Sequence, residues 1–321
     1  MINIRTIYFN EDFSESSIQL LKENEFKVVN IASTYKTRNE IVAIGTKVSK
    51  PVPKNLMEKF PNLRFVLTPT TGTDLIDKSF TAAKNIRVIS LRDDPKLLKT
   101  FNSTPEIFLW LLLSIMRNAH SGAISVDKGQ WNRSHFIGTN LHGKKIGILG
   151  FGRIGIQISN LMIALGCTVY AFDNNFNIKK FKGVKFVKSA NELVNSVDIL
   201  SININDSESN KSYVDKNLLK SIGSDGIFVV NTSRGFVVNE IDILWALKNG
   251  KILGYGADVL NGEGRKAGWL KENQLWKSKS KNNSLNLVIT PHLGGATKEN
   301  IIQAEHSVIS NFIQAYRFSH I

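Results

Sequence analysis

The 321-residue sequence predicts an α/β protein built from two doubly wound parallel sheets. Two observations carry that expectation. Short apolar runs alternate with helix-compatible stretches, which is the pattern of parallel-sheet units joined by crossover helices. The alternation falls into two series, 5–100 and 145–290, with a long apolar helix between them. At ~100–200 residues per domain, that length suits two domains.

In the first series, residues 6–9, 41–44, 63–67 and 86–89 are expected as strands, and 16–24, 53–60 and 77–83 as helices. The long helix starts after Ser103, with Ser103 or Thr104 capping, Pro105 in the first turn and Glu106 close behind. It runs through Phe108-Leu109-Trp110-Leu111-Leu112-Leu113 to about His120. Apolar residues cover most of its faces, so it should be buried between domains or subunits. The second series places strands at 145–149, 167–172, 184–187, 198–202, 227–231, 253–257 and 286–290. Its two clear helices are 155–165 and 240–249, the latter stopping at Gly250. A last helix, 296–317, is expected to pack back on the first domain and make it discontinuous. The expected domains are therefore 1–103 with 296–321, and 104–295.

Composition narrows the class. Hydrophobic residues make up 42% of the chain, as in a soluble globular protein. No run approaches the ~20 apolar residues of a membrane helix. The N-terminus enters an apolar strand directly and lacks a signal-peptide pattern. The one cysteine, Cys167, lies in an expected buried strand, which excludes an internal disulfide and suits a reducing cytoplasm. Net charge is +14, from 41 basic and 27 acidic residues. The lysines are dispersed, with the densest group between Lys266 and Lys281. No nucleic-acid motif accompanies them, so a solvated basic face that steers small anions is expected, with neither nucleic acid nor membrane as partner. No His/Cys cluster has metal-ligand spacing.

The second series carries a nucleotide site. The apolar run Lys145-Ile146-Gly147-Ile148-Leu149 leads into Gly150-Phe151-Gly152-Arg153-Ile154-Gly155, a G-x-G-x-x-G loop. Gly150 permits a tight turn, Gly152 lets the backbone approach a pyrophosphate, and Gly155 lets helix and strand pack closely. The helix that follows offers free N–H groups to the phosphates. Asp173 ends the next strand, 18 residues after Gly155, where an acid meets the adenine ribose hydroxyls. An acid there favours NAD over NADP, and the following residues are Asn174 and Asn175 with no arginine. Strand, loop, helix, strand and terminal acid in that order specify a Rossmann unit.

Three short runs further on carry the chemistry: Asn231-Thr232-Ser233-Arg234-Gly235, Ala257-Asp258-Val259 with Glu263, and Thr290-Pro291-His292-Leu293-Gly294-Gly295. An arginine can clamp a carboxylate with two parallel hydrogen bonds. A histidine moves a proton near neutral pH, and a glutamate orients it and stabilises its charged form. With a hydride acceptor bound nearby, such a trio fits redox chemistry on a hydroxy acid. His120, His135, His142 and His306 have no comparable context and are expected to be structural or exposed.

These motifs, with Gly129-Gln130-Trp131 and the fainter Thr71-Gly72-Thr73-Asp74-Leu75-Ile76-Asp77, resemble the D-isomer-specific 2-hydroxyacid dehydrogenases, phosphoglycerate dehydrogenase-like branch. The resemblance spans about residues 60 to 300 in the expected order. It implies a discontinuous flavodoxin-like substrate domain, a Rossmann NAD-binding domain and a homodimer formed through the latter. It gives Arg234 the substrate carboxylate and keto oxygen, His292 the proton, and Glu263 the orientation of His292. Asp258 would lie near the nicotinamide carboxamide, Arg153 and Ile154 at the pyrophosphate, and Asp173 at the ribose. Thr232 and Gly295 would line the cofactor cleft, while Thr71 and Gly72 would offer backbone N–H groups to the substrate carboxylate.

The chain departs from the pattern in places. Gly264 stands where the family has proline, and Thr70 replaces a loop glycine. Leu67-Thr68-Pro69-Thr70 carries no positive charge, which weighs against 3-phosphoglycerate. The stretch from Glu263 to His292 is lengthened by Gly264-Arg265-Lys266-Ala267-Gly268-Trp269, whose cations are either an anion site or solvated. With the last helix at 296–317, the regulatory domain that some phosphoglycerate dehydrogenases carry is not expected. Two alternatives stand beside the dehydrogenase reading. One is a glyoxylate or hydroxypyruvate reductase, the other a catalytically silent protein that senses NAD(H).

Overall fold

Runs such as Phe65-Val66-Leu67-Thr68 and Ile227-Phe228-Val229-Val230-Asn231 are buried along their whole length, as strands covered on both faces must be. The computed structural model describes residues 5–30, 38–174, 180–281 and 285–318. The chain divides into two units. Unit 1 holds Met1–Phe101, Gly264–Ala267 and Ala296–Ile321, and unit 2 holds Asn102–Glu263 and Gly268–Gly295. The segment Gly264–Ala267, placed by the sequence in the nucleotide-binding domain, thus folds with unit 1.

Unit 1 contains β1 (Arg5–Phe9), β2 (Phe26–Val29), β3 (Ile41–Gly45), β4 (Phe65–Thr68) and β5 (Arg87–Ser90). They form a parallel sheet of order β2-β1-β3-β4-β5. Ile7, Phe9 and Leu67 pack with Phe312 on one face, and Ile41, Ile44 and Val66 with Met57 on the other. β2 was not expected from the sequence. It is a four-residue edge strand with one fully buried side chain, Phe26, so alternation alone does not reveal it. The helix Lys298–Phe318 holds it in place, since Phe312 and Tyr316 lie 5.0 and 5.3 Å from the Phe26 ring. The same helix inserts Glu305, fully buried, against Lys47 Nζ at 2.6 Å. Ser14 Oγ and Ser17 Oγ donate to it at 2.6 and 2.8 Å. The helix expected over 53–60 is only Lys54–Met57, because Pro61 disfavours helical geometry at Phe60.

Unit 2 contains β6 (Lys145–Leu149), β7 (Thr168–Phe172), β8 (Val184–Phe186), β9 (Ile199–Ile202), β10 (Ile227–Asn231), β11 (Ile252–Ala257) and β12 (Leu287–Ile289). The order is β12-β11-β10-β9-β6-β7-β8, with all pairs parallel. The winding reverses between β6 and β9, and such a switch point is where open α/β sheets bind ligands.

The long apolar helix ends at Met116, short of the expected His120. Asn118 takes a left-handed backbone, φ 50°, and a second helix runs over Ala119–Asp127. The cap also differs. Ser103 and Thr104 hydroxyls donate to the Gly294 carbonyl at 2.7 and 2.9 Å, which ties the helix start to the loop after β12. The helices Ala190–Ser196, Lys216–Lys220 and Gln274–Lys281 are too short for a clear apolar period, and each begins at a polar cap: Ser189, Asp215 and Asn273.

Candidate active site

The C-terminal ends of β6 and β9 form a cradle suited to a dinucleotide. Gly150 has φ 93°, and a Cβ there would lie 2.8 Å from the backbone of Asn203, so only glycine fits. A Cβ on Gly155 would meet the Gly150 carbonyl at 2.3 Å, so this glycine lets the helix Arg153–Ala164 close on its strand. Nothing lies within 4 Å of a Cβ on Gly152, which leaves that side open to a close-approaching group. Gly152 is the N-cap and supplies no side-chain bond to the first helical turn. Arg153 and Ile154 occupy that turn. Desolvation pushes the Arg153 guanidinium below its usual range. Thr232 Oγ1 and Asn203 Oδ1 are buried without a hydrogen-bond partner. An open glycine, an uncapped helix start and orphaned polar atoms fit a bound dinucleotide. Asp173 Oδ2 accepts the Phe151 amide at 2.7 Å, which ties the acid after β7 to the glycine loop.

Three neighbouring strands supply the chemical groups. Asn231, Ala257 and Ile289 end β10, β11 and β12 side by side, and Arg234, Glu263 and His292 follow them in the next loops. Asn231, fully buried, shapes the first loop. Its Oδ1 accepts Ser233 N at 3.0 Å and Ser233 Oγ at 2.8 Å, and its Nδ2 donates to the Arg234 carbonyl at 3.0 Å. This side-chain-closed turn presents Arg234, which is partly buried and donates from one guanidinium nitrogen to the Ser233 carbonyl at 2.7 Å. A Cβ on Gly235 would sit 1.9 Å from the Leu260 carbonyl carbon, so glycine there lets the loops after β10 and β11 touch.

The second and third loops are joined through Asp258, which is 1% exposed. Its Oδ1 accepts Thr290 Oγ1 at 2.6 Å and Leu293 N at 2.7 Å, its Oδ2 accepts Gly294 N at 2.7 Å, and its carbonyl accepts His292 N at 2.9 Å. Burial pushes the Asp258 carboxyl up, opposed by these donors and by the charge of His292. The family resemblance implies a place for Asp258 near the nicotinamide carboxamide. In the structure both of its oxygens organise the His292 loop, a task visible only once β11 and β12 are paired. His292 has φ 56°, a conformation that costs a non-glycine residue on the order of 1 kcal/mol, and the Asp258 bonds hold it there.

His292 Nδ1 lies 2.7 Å from Glu263 Oε1, with both side chains 24% exposed. A carboxylate only accepts, so Nδ1 is the donor and Nε2 is left to exchange a proton. The pair lines a cavity of about 710 Å³ with Asp258, Leu260, Trp269, Trp276 and Lys279. The indole walls went unnoticed in the sequence because the stretch ending at Trp269 was read for its cations and the helix Gln274–Lys281, which carries Trp276, was not expected. Lys279, read there as one of several surface cations, donates to the Leu287 carbonyl at 2.7 Å, and desolvation lowers its pKa.

Gly295 follows these residues, and nothing lies within 4 Å of a Cβ there. Thr71 and Gly72 belong to unit 1, in the loop after β4, where Thr70 Oγ1 donates to the Gly72 carbonyl at 2.8 Å. His120 packs edge-on to Trp110, and His306 Nε2 lies 3.0 Å from Ser16 Oγ, so neither joins the site. Burial pushes the Cys167 thiol up, which suits a core residue. Among the described residues no group of three or more His, Cys, Asp and Glu could hold a metal ion.

Two family models match: residues 109–294 the "D-isomer specific 2-hydroxyacid dehydrogenase, NAD binding domain", and residues 7–94 the corresponding "catalytic domain". The chain is 26% identical over 312 residues to D-3-phosphoglycerate dehydrogenase of Bacillus subtilis (strain 168), covering 96% of this chain and 56% of that one. It thus spans little more than half the length of that relative. It is 31% identical over 264 residues to glycerate dehydrogenase of Methylorubrum extorquens, covering 80% of this chain and 77% of that one. Among solved structures, NAD-dependent formate dehydrogenase from Staphylococcus aureus superposes with TM-score 0.80 at 24% identity, over 98% of this chain and 96% of that one. The last comparison shows a shared fold.

Proposed function

The chain belongs to the D-isomer specific 2-hydroxyacid dehydrogenase family, and on that premise we propose that it transfers a hydride between NAD(H) and a D-2-hydroxy acid or its 2-keto partner. The observation that carries the reading is the 2.7 Å Glu263–His292 pair, held by Asp258 in the unit that also carries the glycine cradle.

Bound NAD(H) supplies the hydride acceptor or donor at its nicotinamide ring. Gly150, Gly152, Gly155 and the start of the helix Arg153–Ala164 would hold its phosphates, Asp173 the ribose, and Thr232 and Gly295 the cleft. Arg234 binds the substrate carboxylate and the C2 oxygen. His292 Nε2 takes the C2 hydroxyl proton in oxidation and returns it in reduction. Glu263 fixes the ring through Nδ1 and stabilises the imidazolium.

The uncharged stretch Leu67-Thr68-Pro69-Thr70 favours an unphosphorylated acid. So does the match over 77% of the length of a glycerate dehydrogenase, whose 2-keto partner would be hydroxypyruvate. The working form is proposed to be a homodimer through unit 2, where Trp131 is 90% and Ile137 78% exposed. The test of function is NADH consumption with hydroxypyruvate, glyoxylate, pyruvate and 3-phosphohydroxypyruvate. Turnover is expected with one or more of the unphosphorylated acids. NADH binding without turnover on any of the four acids would leave a silent NAD(H)-binding protein in its place.

A further inference from the structure

Glu240 is the first residue of the helix Glu240–Lys248, and only 8% of it is exposed. An acid in a first turn complements the helix dipole equally well from the surface, so the dipole does not explain the burial. The neighbours of the carboxylate do. It accepts the Asn261 amide at 2.8 Å, and Asn273 Nδ2 donates to both of its oxygens, at 2.8 and 2.7 Å. Asn273, 6% exposed, also donates to the Asn261 carbonyl at 3.3 Å and accepts Trp276 N at 3.1 Å, starting the next helix. Residues 261 and 273 are the two feet of the loop that carries Glu263, and both converge on one buried carboxylate. Burial pushes that carboxyl up, and the Asn261 and Asn273 donors partly offset the effect.

Few local bonds fix Glu263 itself, although a Cβ on the following Gly264 would meet the Val48 carbonyl at 3.1 Å. Its neighbours Gly262 and Gly264 have φ 83° and 69°, and Gly268 further on has φ 71°. Nothing lies within 4 Å of a Cβ on Gly262 or Gly268, so packing does not constrain those hinges. The one local backbone bond of Glu263 is N–H to the Leu260 carbonyl at 3.3 Å. Immediately beyond it, Gly264–Ala267 folds with unit 1. A loop with left-handed glycines on both sides of its functional residue does not hold a 2.7 Å contact by local stiffness.

We infer that Glu240 and Asn273 form a buried clamp that positions Glu263 against His292, so that a residue remote from the substrate sets how well the proton-moving ring is oriented. This rests on the proposed dehydrogenase reading. Neither side chain touches the reacting atoms, so both are positioning residues.

Glu240→Gln tests the clamp. The glutamine can still accept the Asn261 amide, but its own amide then faces that of Asn273. A misplacement of ~1 Å can cost on the order of 10²-fold in rate, so kcat should fall roughly 10–100-fold, with the Kd for NADH changed by less than about twofold. The deciding readout is a double-mutant cycle. If Glu240 acts through Glu263, adding Glu240→Gln to Glu263→Gln should lower kcat by less than about twofold further. An equal loss in both backgrounds would mean that Glu240 acts by a route other than Glu263, and no loss in either would mean that it serves stability alone; both would overturn the clamp. Should Glu240→Gln not fold, Asn273→Ser removes the amide, keeps a hydroxyl cap for Trp276, and carries the same cycle with the same two outcomes. Wild-type protein that turns over no 2-keto acid would defeat the dehydrogenase reading and the clamp with it, whereas active wild type with an additive cycle defeats the clamp only.

Discussion

Arg234 and His292 stand on loops whose shapes are set by neighbouring carboxamide and carboxylate side chains. Asn231 closes the turn that presents Arg234, and Asp258 holds three successive amides of the His292 loop. The functional residue types were legible in the sequence, because Asn-Thr-Ser-Arg-Gly and Pro-His-Leu-Gly-Gly each combine a charged group with turn residues. The task of Asp258 was not legible, since its partners lie 32 to 36 residues away. Glu240 and Asn273 were missed for the same reason: they are 33 residues apart in sequence. At this scale Arg234→Ala should raise the KM for the 2-keto acid while the Kd for NADH stays unchanged. Hydrogen bonds to charged groups contribute ~1.5–3 kcal/mol, so the rise should be roughly 10–100-fold. Steady-state kinetics with a parallel fluorescence titration of NADH separates the two quantities, and an unchanged KM would remove Arg234 as the carboxylate clamp.

Elements were legible in proportion to their burial and length. β6 and β10 are continuous apolar runs, and the sequence placed their bounds where the structure has them. The edge strand β2 and the helices of five to eight residues lacked that signal. The break after Met116 was hidden because Arg117-Asn118-Ala119-His120 contains neither proline nor glycine, and it is the left-handed Asn118 that ends the helix. The helix Lys298–Phe318 carries a polar link that sequence could not foresee, Glu305 against Lys47, Ser14 and Ser17. Burial raises the Glu305 carboxyl, but the Lys47 ammonium and the serine donors outweigh it and hold the group below its ordinary value. A lowered folded-state value means stability that is present above the unfolded glutamate pKa of ~4.3 and lost as pH falls through the folded value. Wild type should therefore melt higher than Glu305→Gln near pH 7, with the gap shrinking below about pH 4.3. Thermal midpoints across pH 3–7 check this, and a gap independent of pH would contradict it.

For the whole molecule, the two parallel sheets and the family were legible because several motifs recur in fixed order along the chain. Surface use was less so. Trp131, Ile137, Val126, Trp110 and Ile124 are all at least 39% exposed within residues 110–137 of unit 2, a concentration of apolar surface that favours self-association. Light scattering at micromolar concentration should give twice the mass of the chain, and a monomer would count against the proposed dimer. The central claim is that His292 moves the proton in a hydride transfer from NADH to a 2-keto acid. Its most direct measurement is NADH oxidation by wild type and His292→Ala on the best acid of the panel, with NADH binding verified for both. The account predicts turnover by wild type and a loss of ~10²–10⁴-fold in the variant. Near-normal turnover in His292→Ala would contradict it.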